Sequence, residues 1–471
     1  MTTGCDTRHT GCPPLYLKGY STSWDNRTSI LYPYMYSVLW RVIPMTVWWL
    51  RLPSVVFGLG IIVLTYLLAR YLFPTIRFVP ELSAIFTAIS PTLIGWSRVG
   101  HDPITVPFFC LATVLAILAT PRRPWLWVVA GGLLALGMYG YQPFKTTGPL
   151  IALLTVVYLR PRWGRRQVRW LIGGLLTGLA IGGPFLWNQI VNWSIVQQQF
   201  QNISVFHFYH NPLFLLWNLE QYAVALITQP SISLFIVPVL ALLGWLILRK
   251  RNHREWWYTG LWALLGLIPV AITMWQAGDN SMQSRSLGVA GMSDILSAIG
   301  LVTIFQFAGR IKRRWLSWPL IGVLILIISI SLVWTSWSNH NFNGGGFCCF
   351  VLGGMEKVAG VVQEPLYAQR PVVIDKLHFM QGMNLLWDMK IPPVDVQQAS
   401  TRWESYGDTQ LVTHVDRYTI CDINVCYQPN DGALYVVPAS KLTNLPTVAT
   451  LTLRFLRKVS VWKIVDNAAT K

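Results

Sequence analysis

The sequence predicts a polytopic α-helical membrane protein that carries a small soluble domain at its C-terminal end. Hydrophobic residues make up 53% of the 471 residues and charged residues only 12%, whereas an average soluble domain has about 25% charged residues. Apolar runs that approach the length of a membrane span recur through most of the chain. The 24 tryptophans and 18 tyrosines fit aromatic rings placed at the headgroup level of a bilayer.

Residues 1–51 are predicted to form an extracytoplasmic N-terminal loop. Residues 1–26 are polar and lack the basic stretch and apolar run of a signal peptide. The aromatic segment Ile30–Trp49 contains two prolines and Arg41, so we interpret it as an interfacial helix and not as a span. An outer N-terminal loop needs a span to carry it across the membrane, so either Ile30–Trp49 does span or a first transmembrane helix precedes Met1 in the natural protein, and we favour the second.

Residues 52–336 are predicted to form the transmembrane domain, with about ten helices of near-spanning length. Several of the apolar runs are short, and the run at Thr147–Leu159 is the weakest of them. The predicted spans are Leu52–Phe73, Leu82–Trp96, Pro103–Thr120, Trp125–Tyr141, Thr147–Leu159, Trp170–Trp187, Ile232–Leu248, Trp256–Trp275, Met292–Phe307 and Leu316–Trp334.

Positive charges cluster in the loops on one side of these spans. They lie at residues 122–123, 160–169, 249–254 and 310–314. By the positive-inside rule this side is cytoplasmic, so the net charge of +18 reflects membrane orientation and does not indicate a nucleic-acid partner. The loops on the opposite face are the N-terminal loop and residues 98–102, 142–145, 188–231, 276–291 and those after Trp337.

Residues 337–471 are predicted to form a soluble extracytoplasmic α/β domain. Strand-like runs at 371–375, 433–439 and 447–456 alternate with turn clusters, and residues 358–375 are predicted to be a helix that leads into a strand. All cysteines except Cys110 lie in segments placed outside, where disulfides persist, and Cys421–Cys426 is the favoured local pair. A zinc site is poorly supported, because Cys348 and Cys349 are adjacent and no His-x-x-x-His pair accompanies them.

The segment Ile89–Pro107 joins two apolar runs and concentrates Arg98, His101 and Asp102 where a helix would leave the membrane. Ionisable groups close to membrane depth indicate a functional site by default. The structural alternatives are a loop that only needs polar residues, an Arg98 side chain that faces the lipid headgroups, and a His101 side chain that is a hydrogen-bonded polar group without a role in chemistry.

Several motifs of the sequence stand in a characteristic order: Gly4–Tyr20, Leu31–Trp40, Arg51–Phe73, Ile89–Asp102, Met138–Leu150 and Ser284–Leu301. Together they resemble the bacterial relatives of the dolichyl-phosphate-mannose–protein mannosyltransferases, glycosyltransferase family 39 of the GT-C class. The resemblance implies a GT-C-like fold. It also implies transfer of a sugar, outside the cytoplasmic membrane, from a polyprenyl-phosphate-linked donor to an acceptor hydroxyl.

The resemblance also implies catalytic residues. Asp102 and Asp6 match acidic positions in the second and first outer loops of the family, and Asp102 is the first candidate for acceptor binding or for the base. Relatives also have an Asp-Glu pair upstream of the residue that matches Asp6, and this sequence starts too late to contain it. If that pair supplies the base, Asp6 is only a supporting residue and the chain as given is incomplete or inactive.

The predicted substrate-binding residues are Arg98, His101, Tyr141, Gln142, Lys145 and Arg285. Cations such as those of Arg98, Lys145 and Arg285 can stabilise a departing lipid phosphate without a metal, although interfacial anchoring remains an alternative for each. No cofactor is predicted, and a divalent metal is unsupported. The expected partners are membrane lipid, the lipid-linked sugar and an acceptor that is a protein, a lipid or a glycan.

Two other classes of protein remain open. A catalytically inactive membrane scaffold would bind a lipid-linked sugar without transferring it. A transporter would share the many spans, but the sequence shows no pair of broken helices in matching halves, and a soluble tail of this length is unusual for one.

Overall fold

The computed structural model of the chain describes a set of ranges that includes most of the apolar runs. These ranges are residues 31–39, 42–43, 47–98, 100, 102–160, 164–191, 193, 197, 213–228, 236–273, 284–310, 329–330, 333, 355–375, 402–406, 409–415, 417–428, 431–438, 447–455 and 458–467. The described residues fall into two compact units, a helical unit up to residue 333 and a sheet unit from residue 355.

The helical unit consists of α-helices joined by short connections, some of which contain a 3-10 turn. The helices are α1 (Leu31–Leu39), α2 (Val47–Leu72), α3 (Val79–Ala88), α4 (Pro91–Ser97), α5 (Thr105–Ala119), α6 (Leu126–Met138), α7 (Gln142–Leu159), α8 (Arg165–Val191), α9 (Leu213–Thr228), α10 (Ile236–Arg251), α11 (His253–Ile272) and α12 (Met292–Arg310). The 3-10 helices Asp102–Ile104 and Ser286–Val289 precede α5 and α12.

Within the described ranges, three helices are long and apolar enough to cross a membrane: Arg51–Leu72, Asp102–Ala119 and Arg166–Val191. Shorter apolar helices occur at Val79–Ala88, Leu126–Met138, Leu213–Leu226 and Met292–Ala308. The expected number of about ten spans therefore stays a prediction. The expected span Leu316–Trp334 lies largely outside the described residues.

The run Leu82–Trp96, predicted as one span, is two helices. Helix α3 ends at Ala88, and Ser90 adopts an extended conformation with ψ of 120° before α4 begins at Pro91. Proline has no backbone N–H and disfavours a helical conformation of the residue before it. The break turns the chain toward the segment that carries Arg98 and Asp102.

Helix α9 lies within residues 188–231, so the prediction that this whole stretch is a loop is wrong. The side-chain amide of Asn218 donates hydrogen bonds of 2.9 and 3.1 Å to the carbonyls of Ala271 and Thr273 at the end of α11. Asn218, Glu220 and Gln221 lower the hydropathy of this stretch, so a search for uninterrupted apolar runs passes over it.

Small residues let neighbouring helices approach closely. A Cβ atom on Gly131 of α6 would lie 2.0 Å from the carbonyl oxygen of Gly174 on α8, and one on Gly174 would lie 2.4 Å from the carbonyl oxygen of Trp127. Helices α10 and α12 meet in the same way, since a Cβ on Gly244 would lie 2.0 Å from the oxygen of Leu296. These contacts fix both the distance and the register of each pair.

The two ends of the helical unit differ in charge. Basic residues concentrate where α10 ends, α11 begins and α8 begins, for example at Arg249, Arg254 and Arg166. Arg254 packs 4.3 Å from the ring centroid of Tyr158 and donates a hydrogen bond to its carbonyl. The opposite end, where α5 and α7 begin and α8 ends, carries Asp102 and Lys145.

The sheet unit contains α13 (Met355–Val362), α14 (Ile423–Cys426) and seven strands. The strands are β1 (Val372–Asp375), β2 (Arg402–Tyr406), β3 (Thr409–Val415), β4 (Tyr418–Cys421), β5 (Leu434–Pro438), β6 (Thr447–Phe455) and β7 (Lys458–Asp466), in the order β2-β3-β4-β1-β5-β7-β6. Strand β1 pairs in parallel with β4 and β5, and the other pairs are antiparallel. The predicted helix-to-strand segment is thus α13 followed by β1.

The core of the sheet unit follows from the alternation of side chains along its strands. Val372 and Ile374 point to the face covered by α13, where Val358 and Val362 pack, while Val373 points to the other face. The structure also bonds Cys421 to Cys426, the pair that the sequence favours.

The side chains of Arg370 and Arg417 make hydrogen bonds that link neighbouring segments of the sheet unit near the amino ends of β1 and β5. The guanidinium of Arg370 donates two hydrogen bonds of 2.8 and 2.5 Å to the carboxylate of Asp466 and a third of 2.8 Å to the carbonyl of Gly432. The hydrogen bonds to Asp466 raise the pKa of Arg370. Arg417 donates to the carbonyls of Val362, Tyr367 and Arg370 and so satisfies backbone acceptors after α13.

Candidate active site

Asp102 lies in the 3-10 helix that leads into α5, and its residue is only 2% exposed. The next residue, Pro103, fixes the backbone at the start of this helix. The hydroxyl of Thr105 donates a 2.6 Å hydrogen bond to the carbonyl of Asp102. The carboxylate is therefore held in a rigid turn at the end of the helical unit where α5 begins.

The same threonine joins the starts of α5 and α7. Its hydroxyl oxygen accepts a 3.4 Å hydrogen bond from the backbone N–H of Tyr141. A Cβ atom on Gly140 would lie 2.7 Å from this oxygen, so only glycine allows the chain to pass so near. Thr105 thus brings the Asp102 and Tyr141 segments together.

Tyr141 connects this pair to a distant part of the chain. Its hydroxyl shares a 2.9 Å hydrogen bond with the hydroxyl of Ser284. Arg285, which follows Ser284, is half-buried at the start of the 3-10 helix Ser286–Val289. Three segments that carry predicted site residues therefore meet through Thr105 and Ser284.

Lys145 lies in the first turn of α7, and its ammonium group interacts electrostatically with the Asp102 carboxylate. Its Nζ atom is 4.9 Å from the ring centroid of Phe185, near the end of α8. The arrangement places a carboxylate and an ammonium at the same end of the helical unit. Such a pair suits proton removal beside the stabilisation of an anion.

Helix α1 covers this region with two buried tyrosines on one face. The hydroxyl of Tyr32 shares a 2.8 Å hydrogen bond with Ser54, two turns into α2, and the ring centroids of Tyr32 and Tyr36 are 5.6 Å apart. The charge of Asp102 acts on both tyrosine side chains. The backbone N–H of Leu31 donates to the carbonyl of Tyr139, which ties α1 to the end of α6.

The other predicted site residues are placed less centrally. Arg98 is exposed and caps the C-terminal end of α4, which packs against the 3-10 helix of Asp102. Gln142 is the half-buried first residue of α7. Asp6 and His101 lie outside the described residues.

A cavity of about 490 Å³ lies among α3, α4, α9, α10, α11 and α12. Its lining is mostly apolar, with Leu226, Leu242 and Leu264 on three of its sides. Ser286, the residue after Arg285, and Tyr222 of α9 also line it, and their side chains are hydrogen-bonded to each other. The cavity thus reaches the segment that carries Arg285.

The buried carboxyl group of Asp294 lines this cavity and accepts hydrogen bonds from two neighbours. The hydroxyl of Thr87 donates a 2.8 Å hydrogen bond to Asp294, and the backbone N–H of Gly291 also donates to it. Asp294 is the third residue of α12, so it caps the start of that helix. Among the described residues, no group of three His, Cys, Asp or Glu side chains is placed to hold a metal ion.

Sequence reasoning missed Thr105, Ser284 and Phe185, because a threonine, a serine and a phenylalanine next to apolar runs carry no signal of their own. For Ser284, the available clue was its position directly before Arg285, a predicted site residue.

Residues 27–187 match the family model of dolichyl-phosphate-mannose-protein mannosyltransferases. No curated protein matches the sequence.

The chain is similar in structure to ArnT from Cupriavidus metallidurans. The crystal structure in the apo state gives a TM-score of 0.53 at 12% identity, over 100% of this chain and 96% of that one. The crystal structure bound to undecaprenyl phosphate gives a TM-score of 0.49 at 12% identity, over 94% and 88% of the two chains.

The likeness to the apo structure shows a shared fold along the whole chain. The family match lies within the part of the chain that the motifs had indicated, and it confirms the resemblance drawn from them. Residues 27–187 are therefore similar to the dolichyl-phosphate-mannose-protein mannosyltransferase family, and the chain shares the fold of ArnT in its apo state.

Proposed function

We propose that the chain transfers a sugar from a polyprenyl-phosphate-linked donor to an acceptor hydroxyl on the outer face of the cytoplasmic membrane. The donor class is supported by the family name, which specifies a dolichyl-phosphate-linked mannose. The observation that carries the proposal is the placement of buried Asp102 and of Lys145 at the same end of the helical unit, at the starts of α5 and α7.

In the proposed reaction, the acceptor oxygen forms a bond to the anomeric carbon while the bond from that carbon to the phosphate oxygen breaks. Asp102 takes the hydroxyl proton, a form of catalysis worth about a hundredfold or more. The lipid phosphate leaves with the electron pair, and Lys145 and Arg285 stabilise its charge. Arg98 attracts the phosphate from the exposed rim, and Tyr141 and Gln142 contact the substrate.

The prenyl chain of the donor is proposed to enter the apolar cavity. The cavity of about 490 Å³ takes in Ser286, so a chain held there would present its phosphate to Arg285. Burial of prenyl carbons stabilises the complex by roughly 25 cal/mol for each Å² of apolar surface removed from water.

The orientation is proposed from two features. Basic residues concentrate at the end of the helical unit opposite Asp102, which favours that end as cytoplasmic. The disulfide Cys421–Cys426 fits a sheet unit outside the cytoplasm, where disulfides persist. The domain boundaries at residues 51 and 336 and the roles of Asp6 and His101 stay part of this proposal.

The test measures release of polyprenyl phosphate from dolichyl-phosphate-mannose in membranes that contain the full chain. We expect Asp102→Asn to lower turnover about a hundredfold or more while binding of the donor persists. The matched control is Asp375→Asn, because Asp375 is a buried carboxylate of the sheet unit whose contact with the N–H of Ile423 an amide oxygen retains. Unchanged turnover in Asp102→Asn would remove Asp102 from the reaction.

The same assay separates a transferase from a scaffold that only binds the lipid-linked sugar. A scaffold would bind the donor and release no polyprenyl phosphate in the unsubstituted chain. Turnover that disappears in Asp102→Asn, with binding retained, supports transfer.

A further inference from the structure

The ammonium of Lys145 rests against an aromatic ring from another helix. Its Nζ atom lies 4.9 Å from the ring centroid of Phe185, within the distance at which a cation is attracted by the electron-rich face of a ring. Phe185 is only 3% exposed. Lys145 lies in the first turn of α7 and Phe185 lies near the end of α8, so the contact depends on how the two helices pack.

The ring of Phe185 is itself fixed by its neighbours. The ring of Tyr139 meets it edge-on at 5.5 Å, and the hydroxyl of Tyr139 donates a 2.7 Å hydrogen bond to the carbonyl of Ile181, one turn earlier in α8. A Cβ atom on Gly182 would lie 3.3 Å from the Cβ of Ala135 in α6. The close packing of α6 on α8 therefore determines where the ring lies.

An aromatic ring can hold a lysine ammonium in place without neutralising its charge, whereas a carboxylate neutralises it. It attracts the ammonium without contributing a negative charge, so the charge of the lysine remains available to an anion. The charge of the Asp102 carboxylate also acts on Lys145. The ring keeps the long, flexible side chain in one place, which reduces the conformational entropy lost when an anion binds.

We propose that Phe185 is a positioning residue that holds the Lys145 ammonium where the donor phosphate binds. The inference rests on the proposed function, because it needs a lipid phosphate as the ligand of Lys145. Phe185 acts through Lys145 and does not itself touch the reacting atoms.

The test compares Phe185→Leu, which removes the ring, with Phe185→Tyr, which keeps it. With undecaprenyl phosphate as the probe in an equilibrium binding measurement, we expect Phe185→Leu to weaken binding about twofold to thirtyfold, the range of a desolvated cation–ring contact. Phe185→Tyr should bind close to the unsubstituted protein. In the transfer assay, Phe185→Leu should raise KM for the donor more than it lowers kcat.

Lys145→Gln provides the decisive comparison. If the ring acts through the ammonium, Phe185→Leu should weaken binding no further in a chain that already carries Lys145→Gln. An equal effect of Phe185→Leu in both backgrounds would overturn the inference, because it would show that the ring supports only the packing of α8.

A matched control removes a cation–ring contact elsewhere. Arg77 lies 4.6 Å from the ring centroid of Phe78, which is exposed between α2 and α3 at the basic end, and Phe78→Leu should leave binding of the probe unchanged. If Lys145→Gln itself binds undecaprenyl phosphate normally, the role of Lys145 in the proposed function fails. If it binds weakly while Phe185→Leu binds normally, only the positioning inference fails.

Discussion

At the scale of single residues, hydroxyl groups next to the charged groups hold the candidate site together. Thr105 links Asp102 to Tyr141, and Ser284 links Tyr141 to the segment of Arg285. The bonds of Tyr141 to Thr105 and to Ser284 join separate segments of the chain, so they bring the segments that carry Asp102 and Arg285 together. A hydroxyl in such a place contributes geometry, and the charged groups contribute the chemistry.

We predict that Tyr141→Phe lowers the free energy of unfolding by about 0.5–1.5 kcal/mol, the usual net value of one hydrogen bond. The reason is loss of the 2.9 Å bond to Ser284. Thermal unfolding in detergent, followed by tryptophan fluorescence, measures the change. Because the two hydroxyls share one bond, Tyr141→Phe combined with Ser284→Ala should cost less than the sum of the single changes; additive losses would contradict a direct bond.

At the scale of elements, the position of α8 determines where the ring behind Lys145 lies. Helices α6 and α8 approach through Gly131 and Gly174, where a Cβ atom would overlap a carbonyl oxygen of the neighbouring helix. Helix α8 also presents Leu175, Leu179 and other exposed apolar side chains on its outer face, as a helix in contact with lipid does. The glycines thus fix the buried face, while the outer face presents exposed apolar side chains.

We predict that Gly174→Ala destabilises the helical unit by about 1–3 kcal/mol, because overpacking forces the backbones apart. Gly183→Ala in the same helix is the matched control, since a Cβ atom there would meet nothing within 4 Å. The control should be neutral or slightly stabilising, given that alanine favours a helix by about 1 kcal/mol over glycine. Unfolding temperatures of the two variants in the same detergent decide the matter, and equal values would rule out tight α6–α8 packing.

At the scale of the whole molecule, charge separates the two ends of the helical unit, and the disulfide lies in the sheet unit. Basic residues lie at one end and the Asp102–Lys145 pair at the other. The positive-inside rule relates the basic end to the cytoplasm. The proposed transfer on the outer face of the cytoplasmic membrane requires this orientation, so the function and the topology can be tested together.

We predict that a cysteine at position 250 and one at position 366 react from opposite sides of the membrane. Lys250 is exposed at the end of α10, and Leu366 is 74% exposed in the sheet unit. In intact cells, a membrane-impermeant maleimide should label Leu366→Cys, and it should label Lys250→Cys only after permeabilisation. The unsubstituted chain measures the background from its own cysteines, and the reverse pattern would invert the proposed orientation.

The sequence by itself indicated a helical membrane protein, the resemblance to the family and the segments that carry charge. Apolar content, basic loops and motif order are local properties, so they can be read residue by residue along the chain. The same properties predicted Leu82–Trp96 as one helix, because the Ser-Pro break hardly lowers the mean hydropathy of that stretch. They predicted residues 188–231 as a loop, because a few polar side chains lower the mean hydropathy of the stretch that forms α9.

Only the tertiary structure decided which side chains meet. Lys145 and Phe185 belong to different helices, and Tyr141 and Ser284 are 143 residues apart. Whether they touch depends on the rotation and axial register of each helix, which contacts such as Gly131 with Gly174 determine. A glycine in one helix does not specify the carbonyl it will meet in another, so the geometry of the site arises only when the helices pack.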